Sequence, residues 1–185
     1  MDERKVKGTL LLDYARMIRA NQEKDWNKYL KPEDWEIING TVLPSVWYPF
    51  ETWRRCGVAI FHLIAGGNMD LVRMFGRMQV EQMFKNVYTR FLKFSDPEEA
   101  IRTFVQVSHQ LFNFIVMDYE KIDEKKIKIY VFIDPKEEGI EAFLMEMRGH
   151  FDYIVELTGR KNPQYKTGTL KKGDTKGVEV EVAWD

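Results

Sequence analysis

Apolar residues recur at three- and four-residue steps through the N-terminal part of the chain and at every second position in parts of the C-terminal part. After Lys7-Gly8, Leu11, Leu12, Ala15 and Ile18 share a face opposite Asp13, Arg16 and Arg19, which predicts a helix from Thr9 to about Asn21. Pro32-Glu33-Asp34-Trp35 sets a proline and two carboxylates at a first helical turn, and Asn39-Gly40 supplies the stop, so a short helix is expected over 32–38. Two prolines in Thr41 to Pro49 predict an ordered but irregular connection. Trp53, Val58, Ile60, Phe61 and Ile64 then mark a helix from Phe50 to Ala65, broken at Gly66-Gly67. The longest periodic stretch runs from Met69 to Phe94, with Leu71, Met74, Phe75, Met78, Phe84 and Phe91 on its stripe. Ser95-Asp96-Pro97-Glu98-Glu99 starts a further helix that carries Ile101, Phe104, Val105 and Leu111.

The period then becomes two. Ile127, Ile129, Val131 and Ile133 alternate with polar positions along Lys126 to Ile133, with Phe114 to Tyr119 as the expected antiparallel partner. A helix over Pro135 to Leu157 follows. Strands are predicted over Gln164 to Leu170 and Val178 to Trp184, joined by a turn over Lys171 to Gly177. Helices followed by strand, strand, helix, strand, strand predict an α+β fold, with a helical N-terminal half packed on a four-stranded antiparallel sheet. No repeat or low-complexity linker divides the chain, so residues 1–185 are expected to form a single domain, helical over about 9–113, with the sheet and inserted helix over about 114–185.

Composition narrows the function. At 185 residues, 44% hydrophobic and 14% aromatic, the chain is long and apolar enough to bury roughly 70% of its unfolded surface. Lys plus Arg number 28 against 29 Asp plus Glu, so the net charge is −1, and no basic tract offers an electrostatic footprint for nucleic acid. No run reaches the length of a membrane span, and neither a secretory signal nor a disulfide framework is present, Cys56 being the single cysteine; the expected location is cytoplasmic. His62, His109, His150 and Cys56 are too far apart in sequence to suggest a zinc site, and no nucleophile–base or paired-carboxylate arrangement emerges, so no catalytic residue and no metal are assigned.

Several segments carry a resemblance to a known group: Val6-Lys7-Gly8-Thr9, Leu43-Pro44-Ser45-Val46-Trp47-Tyr48-Pro49-Phe50-Glu51, Phe75-Gly76-Arg77, Lys172-Gly173-Asp174 and the final Val180-Glu181-Val182-Ala183-Trp184. In order and content they resemble an uncharacterised paralogous family abundant in myxobacteria. That family is similar to a fold group of haem nitric-oxide/oxygen-binding (H-NOX) domains, 4-vinyl reductase ligand-binding domains and vesicle-tethering (TRAPP) subunits. Relatives often carry cysteines around the last hairpin, near which this chain has Thr167, Thr175 and Gly177, so the resemblance does not support a zinc or redox role for that hairpin. The resemblance implies a non-catalytic ligand-sensing or protein-interaction module, with a small apolar ligand or a partner protein, a homodimer among the partners.

Trp47, Tyr48, Trp53, Phe61, Phe75, Met78, Phe84, Phe104, His109 and Leu111 are the expected ligand-binding residues, because aromatic and thioether side chains suit an irregular apolar guest. The same side chains equally describe a packed core. No cofactor is expected, with haem as the alternative: H-NOX domains bind iron through a histidine at about the place of His109 and neutralise the haem propionates with Tyr-x-Ser-x-Arg. The corresponding stretch here is Tyr130-Val131-Phe132-Ile133-Asp134, in which only the tyrosine agrees and an aspartate stands where the cation would be. The alternatives are therefore a haem gas sensor using His109, or a dimerisation or scaffold module without ligand.

Overall fold

The computed structural model describes residues 3–170 and 176–185, so most of the turn expected over Lys171 to Gly177, Lys172-Gly173-Asp174 and Thr175 included, lies outside the described residues. The fold is α+β, with six helices and a four-stranded antiparallel sheet among the described residues. The chain divides into two compact units. One holds residues through Met69 together with His109–Phe114, the other Asp70–Ser108 and Ile115–Asp185. No helix of the described residues is long and apolar enough to cross a membrane.

The first unit contains β1 (Lys5–Lys7), α1 (Gly8–Ala20), a 3-10 turn at Trp26–Lys28, α2 (Pro32–Asn39), β2 (Trp47–Pro49) and α3 (Phe50–Leu63). The helices follow the predicted stripes: Leu11, Ala15 and Ile18 of α1 are fully buried, as are Ile38 of α2 and Cys56 of α3. The proline-fenced segment departs from expectation. Its last three residues form β2, antiparallel to β1 with Val6 opposite Tyr48, and Val6 also bridges to Phe112. Strands this short have too few residues for an alternation to show. Backbone hydrogen bonds complete the ribbon, from Gly8 N to Val46 O at 2.9 Å and from Thr9 N to Pro44 O at 3.1 Å.

The second unit is built from α4 (Met69–Asn86) from Asp70 onward, a 3-10 turn (Thr89–Lys93), α5 (Pro97–Leu111) as far as Ser108, β3 (Met117–Asp123), β4 (Lys126–Val131), α6 (Ile140–Leu157), β5 (Gln164–Thr169) and β6 (Val178–Ala183). The sheet order is β3-β4-β6-β5, so the strands on either side of α6 meet at β4 and β6, Ile129 opposite Val180. Ile127, Ile129 and Val131 on β4 and Val178, Val180 and Val182 on β6 are buried, which is the alternation the sequence displays.

Three elements depart from the sequence reading by more than two residues. The long helix stops at Asn86 rather than Phe94, because the amides of Val87 and Tyr88 both turn back to the Met83 carbonyl and the 3-10 turn folds Phe91 onto Phe84, ring centroids 4.0 Å apart. The partner of β4 is Met117–Asp123, a polar edge strand with little apolar alternation, and not Phe114 to Tyr119. The inserted helix begins at Ile140, not Pro135: Gly139 holds φ at +87°, a left-handed conformation that separates it from the preceding turns.

α4 and α6 cross backbone to backbone. A Cβ on Gly76 would stand 2.1 Å from the Glu146 carbonyl oxygen, and one on Gly149 would stand 2.0 Å from that of Arg73. Hydrogen alone fits at both positions, and the crossing brings Arg73 and Arg77 within reach of α6.

Candidate functional site

The second unit has an interior made largely of rings. Phe84 of α4 is fully buried, stacked on Phe91 and set at 6.5 Å from Phe104 of α5 and 6.1 Å from Tyr153 of α6. Phe104 meets Phe151 edge-on at 6.1 Å and the imidazole of His150 at 5.4 Å. Offset and edge contacts of this kind add a modest attraction to the burial of apolar surface, which holds the three helices in one packing arrangement. Of the expected binding residues, Phe84 and Phe104 belong to this cluster; Phe75 is half-buried and Met78 is 54% exposed on α4.

His150 is the polar member of the cluster, and sequence reasoning treated it only as an isolated histidine. Its Nε2 lies 3.0 Å from Oε1 of Gln79 on α4, an acceptor, which places the proton on Nε2. Nδ1 is then a bare acceptor, buried and without a hydrogen-bond partner among the described residues. Burial pushes the imidazole down to about 4, so the ring is neutral at physiological pH. The signal in the sequence is weak: His150 lies in Gly149-His150-Phe151, and only the helix crossing turns the ring toward Gln79 and Phe104.

Beside it, the guanidinium of Arg73 donates from Nε and Nη2 to both carboxylate oxygens of Asp152, at 2.5 and 2.8 Å. The Tyr165 hydroxyl donates to Asp152 Oδ1 at 2.8 Å, and burial followed by the Asp152 charge pushes that phenol far up. Arg77 makes the same two-pronged contact with Glu156, whose carboxyl the Arg77 hydrogen bond holds below its ordinary range. These pairs tie α4 and β5 to α6. Paired cations and anions with satisfied oxygens are fixed in their charge states and poorly suited to proton transfer.

In the first unit Trp53 is buried, stacked on Tyr14 at 6.1 Å and edge-on to Phe112 at 5.7 Å, and Phe61 is half-buried beside His62 at 4.8 Å. Trp47 is 40% exposed with the Lys7 ammonium 4.0 Å over its ring, while the Tyr48 hydroxyl accepts from the Leu43 amide at 2.9 Å. The Pro-Ser-Val-Trp-Tyr-Pro segment is thus pinned to β1 and the start of α1. Asp34, fully buried, accepts from Arg55 Nε and Nη2 at 2.7 Å each and from the Lys31 amide at 2.8 Å. Burial alone would raise its pKa; these donors outweigh that and hold it below the ordinary value. Burial pushes the neighbouring Cys56 thiol up, leaving it an inert core group. Among the described residues no three His, Cys, Asp or Glu side chains converge as a metal site would require.

The residues that the resemblance assigns to haem are set differently. His109 is exposed near the C-terminal end of α5, and Leu111 is buried two residues on. The Tyr130 hydroxyl donates to the Glu120 carboxylate on the neighbouring strand, and that bond, with burial, pushes the phenol up to about 12. Asp134 is ion-paired with Lys176 at 3.1 Å and accepts from the Lys136 amide, which with the lysine charge lowers its carboxyl. A tyrosine held by a carboxylate, a phenylalanine and an aspartate do not supply the hydroxyls and cation that two propionates need, so these residues do not fit haem.

No protein-family model matches the chain, and no curated protein is significantly similar to it in sequence. Solved structures do resemble it in fold over nearly its whole length. An Fe(II) unliganded H-NOX protein from K. algicida is 12% identical with a TM-score of 0.63, the alignment covering 97% of this chain and 96% of that one. An oxygen-binding H-NOX domain related to soluble guanylate cyclases, solved as its oxygen complex, is 11% identical with a TM-score of 0.62, covering 97% and 95%. An H-NOX structure from T. Tengcongensis is 9% identical with a TM-score of 0.60, covering 97% of both chains. The fold is H-NOX-like.

Proposed function

We propose that this protein is a non-catalytic, ligand-binding sensory domain of H-NOX-like fold that takes a small, largely apolar guest among α4, α5 and α6 without haem. The observation that carries this reading is the buried, unpartnered Nδ1 of His150 in an otherwise aromatic interior. A buried acceptor left without a donor costs roughly 1–3 kcal/mol, a cost that a guest hydroxyl or N–H would remove. The guest would enter beside Phe104 and Phe84, displace their rings, and change the packing of α5 on α6 as its signal. Likeness to H-NOX structures supports a sensory role, since one of those proteins is described as binding oxygen.

A haem gas sensor using His109 is the second reading, favoured by the fold likeness over 97% of the chain to a protein solved in its Fe(II) form. A dimerisation module is a third, favoured by Leu43, Val46 and Trp47, each 40–51% exposed on one short segment. Native mass spectrometry of the untreated protein separates them. The proposal predicts a retained small mass that is lost in His150→Leu; a retained haem mass favours the second reading, and a dimer with no bound small mass favours the third.

A further inference from the structure

The first unit carries a groove apart from the aromatic interior of the second. It measures about 320 Å³, within the range of small-molecule sites, and is lined by Arg19, Gln22, Lys24, Trp26, Asn27, Trp35 and Asn39. It forms where α1 ends: the chain leaves the helix at Asn21, makes the 3-10 turn at Trp26–Lys28, and returns through α2.

The donors of the two tryptophans are already committed. Trp26 Nε1 donates to the Asn21 carbonyl at 2.7 Å, and Trp35 Nε1 to Asn27 Oδ1 at 2.8 Å. What a guest meets is therefore ring surface, chiefly that of half-buried Trp35, with Trp26, 2% exposed, packed behind it as the floor. The Asn27 amide, having accepted from Trp35, still carries its NH₂ donors. Arg19 uses Nε on the Ala15 carbonyl at 3.2 Å, and no carboxylate among the described residues lies within ion-pair distance of its guanidinium. Lys24 has Glu23 at 4.0 Å, the outer limit of an ion pair. The lining thus holds two cations, three amides, two indoles and no carboxylate.

An unpaired guanidinium beside a lysine whose one carboxylate neighbour stands at 4.0 Å selects an anion, and the guanidinium's remaining N–H pair suits a carboxylate. Two indoles with no donor to give select a flat, apolar body rather than a sugar, whose hydroxyls need partners in the plane of contact. We propose that this groove binds a small aromatic carboxylate, its ring against Trp35 and its charge on Arg19 and Lys24. The site lies within the first unit and does not depend on the ring-lined interior of the second.

Benzoate is the probe, followed through the indole N–H signals of ¹⁵N-labelled protein, with benzamide, acetate and glucuronate as comparators that remove the charge, the ring, and the aromaticity at constant charge. Benzoate is expected to move the Trp26 and Trp35 signals saturably below about 10 mM, at least about fivefold more tightly than each comparator. Arg19→Gln with Lys24→Gln, and separately Trp35→Leu, should each weaken it about tenfold while the Trp53 and Trp184 signals stay in place, showing that the fold survives. The proposal is overturned by no saturation, by equal binding of benzamide or glucuronate, or by unchanged benzoate affinity in the variants. Absence of any retained small mass that depends on His150, with benzoate binding intact, would sink the earlier reading and leave this one standing.

Discussion

Gly149→Ala is the sharpest perturbation the fold offers. The added Cβ would lie 2.0 Å from the Arg73 carbonyl oxygen and 2.8 Å from the Arg77 amide nitrogen, both backbone atoms that no rotamer change can move. Restoring an ordinary contact of 3.4 Å requires the helices to part by 3.4 − 2.0 = 1.4 Å along that direction. Overpacking of this kind costs about 1–3 kcal/mol, and parting the helices also loosens the Arg73–Asp152 and Arg77–Glu156 pairs, each worth at most about 1 kcal/mol at this exposure. Alanine's better helix propensity returns about 1 kcal/mol. The expected net loss is about 2 kcal/mol, or roughly 4–8 °C in melting temperature for a chain of this length. Gly57→Ala is the control. It sits inside α3 with its nearest neighbour, Tyr14 Cε2, at 3.4 Å, so it should stabilise by up to about 1 kcal/mol. Urea unfolding followed by circular dichroism reads both. If Gly149→Ala proves as stable as the parent, or if the two substitutions shift stability alike, the close crossing of α4 on α6 is wrong.

Three further outcomes are expected. His150 has a folded pKa near 4 against an ordinary 6.5, so between those values the unfolded chain binds the proton and the folded chain does not; stability is complete above about pH 6.5 and falls toward pH 4 by up to about 3 kcal/mol, a slope that His150→Gln should flatten in urea titrations at stepped pH. Phe104→Ala removes a ring packed on Phe84, Phe151 and His150 and should cost about 3–5 kcal/mol by the same measurement; an unchanged melting temperature with altered ligand retention would instead place Phe104 on a cavity wall. Asp34→Ala leaves the Arg55 guanidinium, 13% exposed, with only the exposed Glu33 carboxylate at 3.7 Å and should cost up to about 3–5 kcal/mol, whereas Asp34→Ala combined with Arg55→Met should recover part of that loss; no recovery would mean that the pair is not the source of the cost.

Much of this fold is legible in the sequence because burial there follows a simple period. The stripe Leu11, Ala15, Ile18 and the alternation of Val178, Val180 and Val182 each report one buried face, and both elements fall where the pattern puts them. The misplaced edges share a cause. Phe91 lies seven residues beyond Phe84, a helical spacing, yet reaches it through a 3-10 turn; a stripe does not distinguish two turns of helix from a chain that doubles back. β3 shows almost no alternation because an edge strand with charged faces buries little. The site is less legible than the fold. Phe84 and Phe104 are found as apolar positions, but His150 becomes distinctive only through Gln79, seventy-one residues away, and the Arg19–Trp35 groove is assembled from polar residues that each read as surface.

The central claim is an H-NOX-like fold that works without haem, and an absorption titration of the purified protein with haemin tests it directly. The account predicts only the broad band of loosely associated haemin, the same in the parent and in His109→Ala. A sharp Soret band at one equivalent that disappears in His109→Ala would contradict it and make this protein a haem sensor.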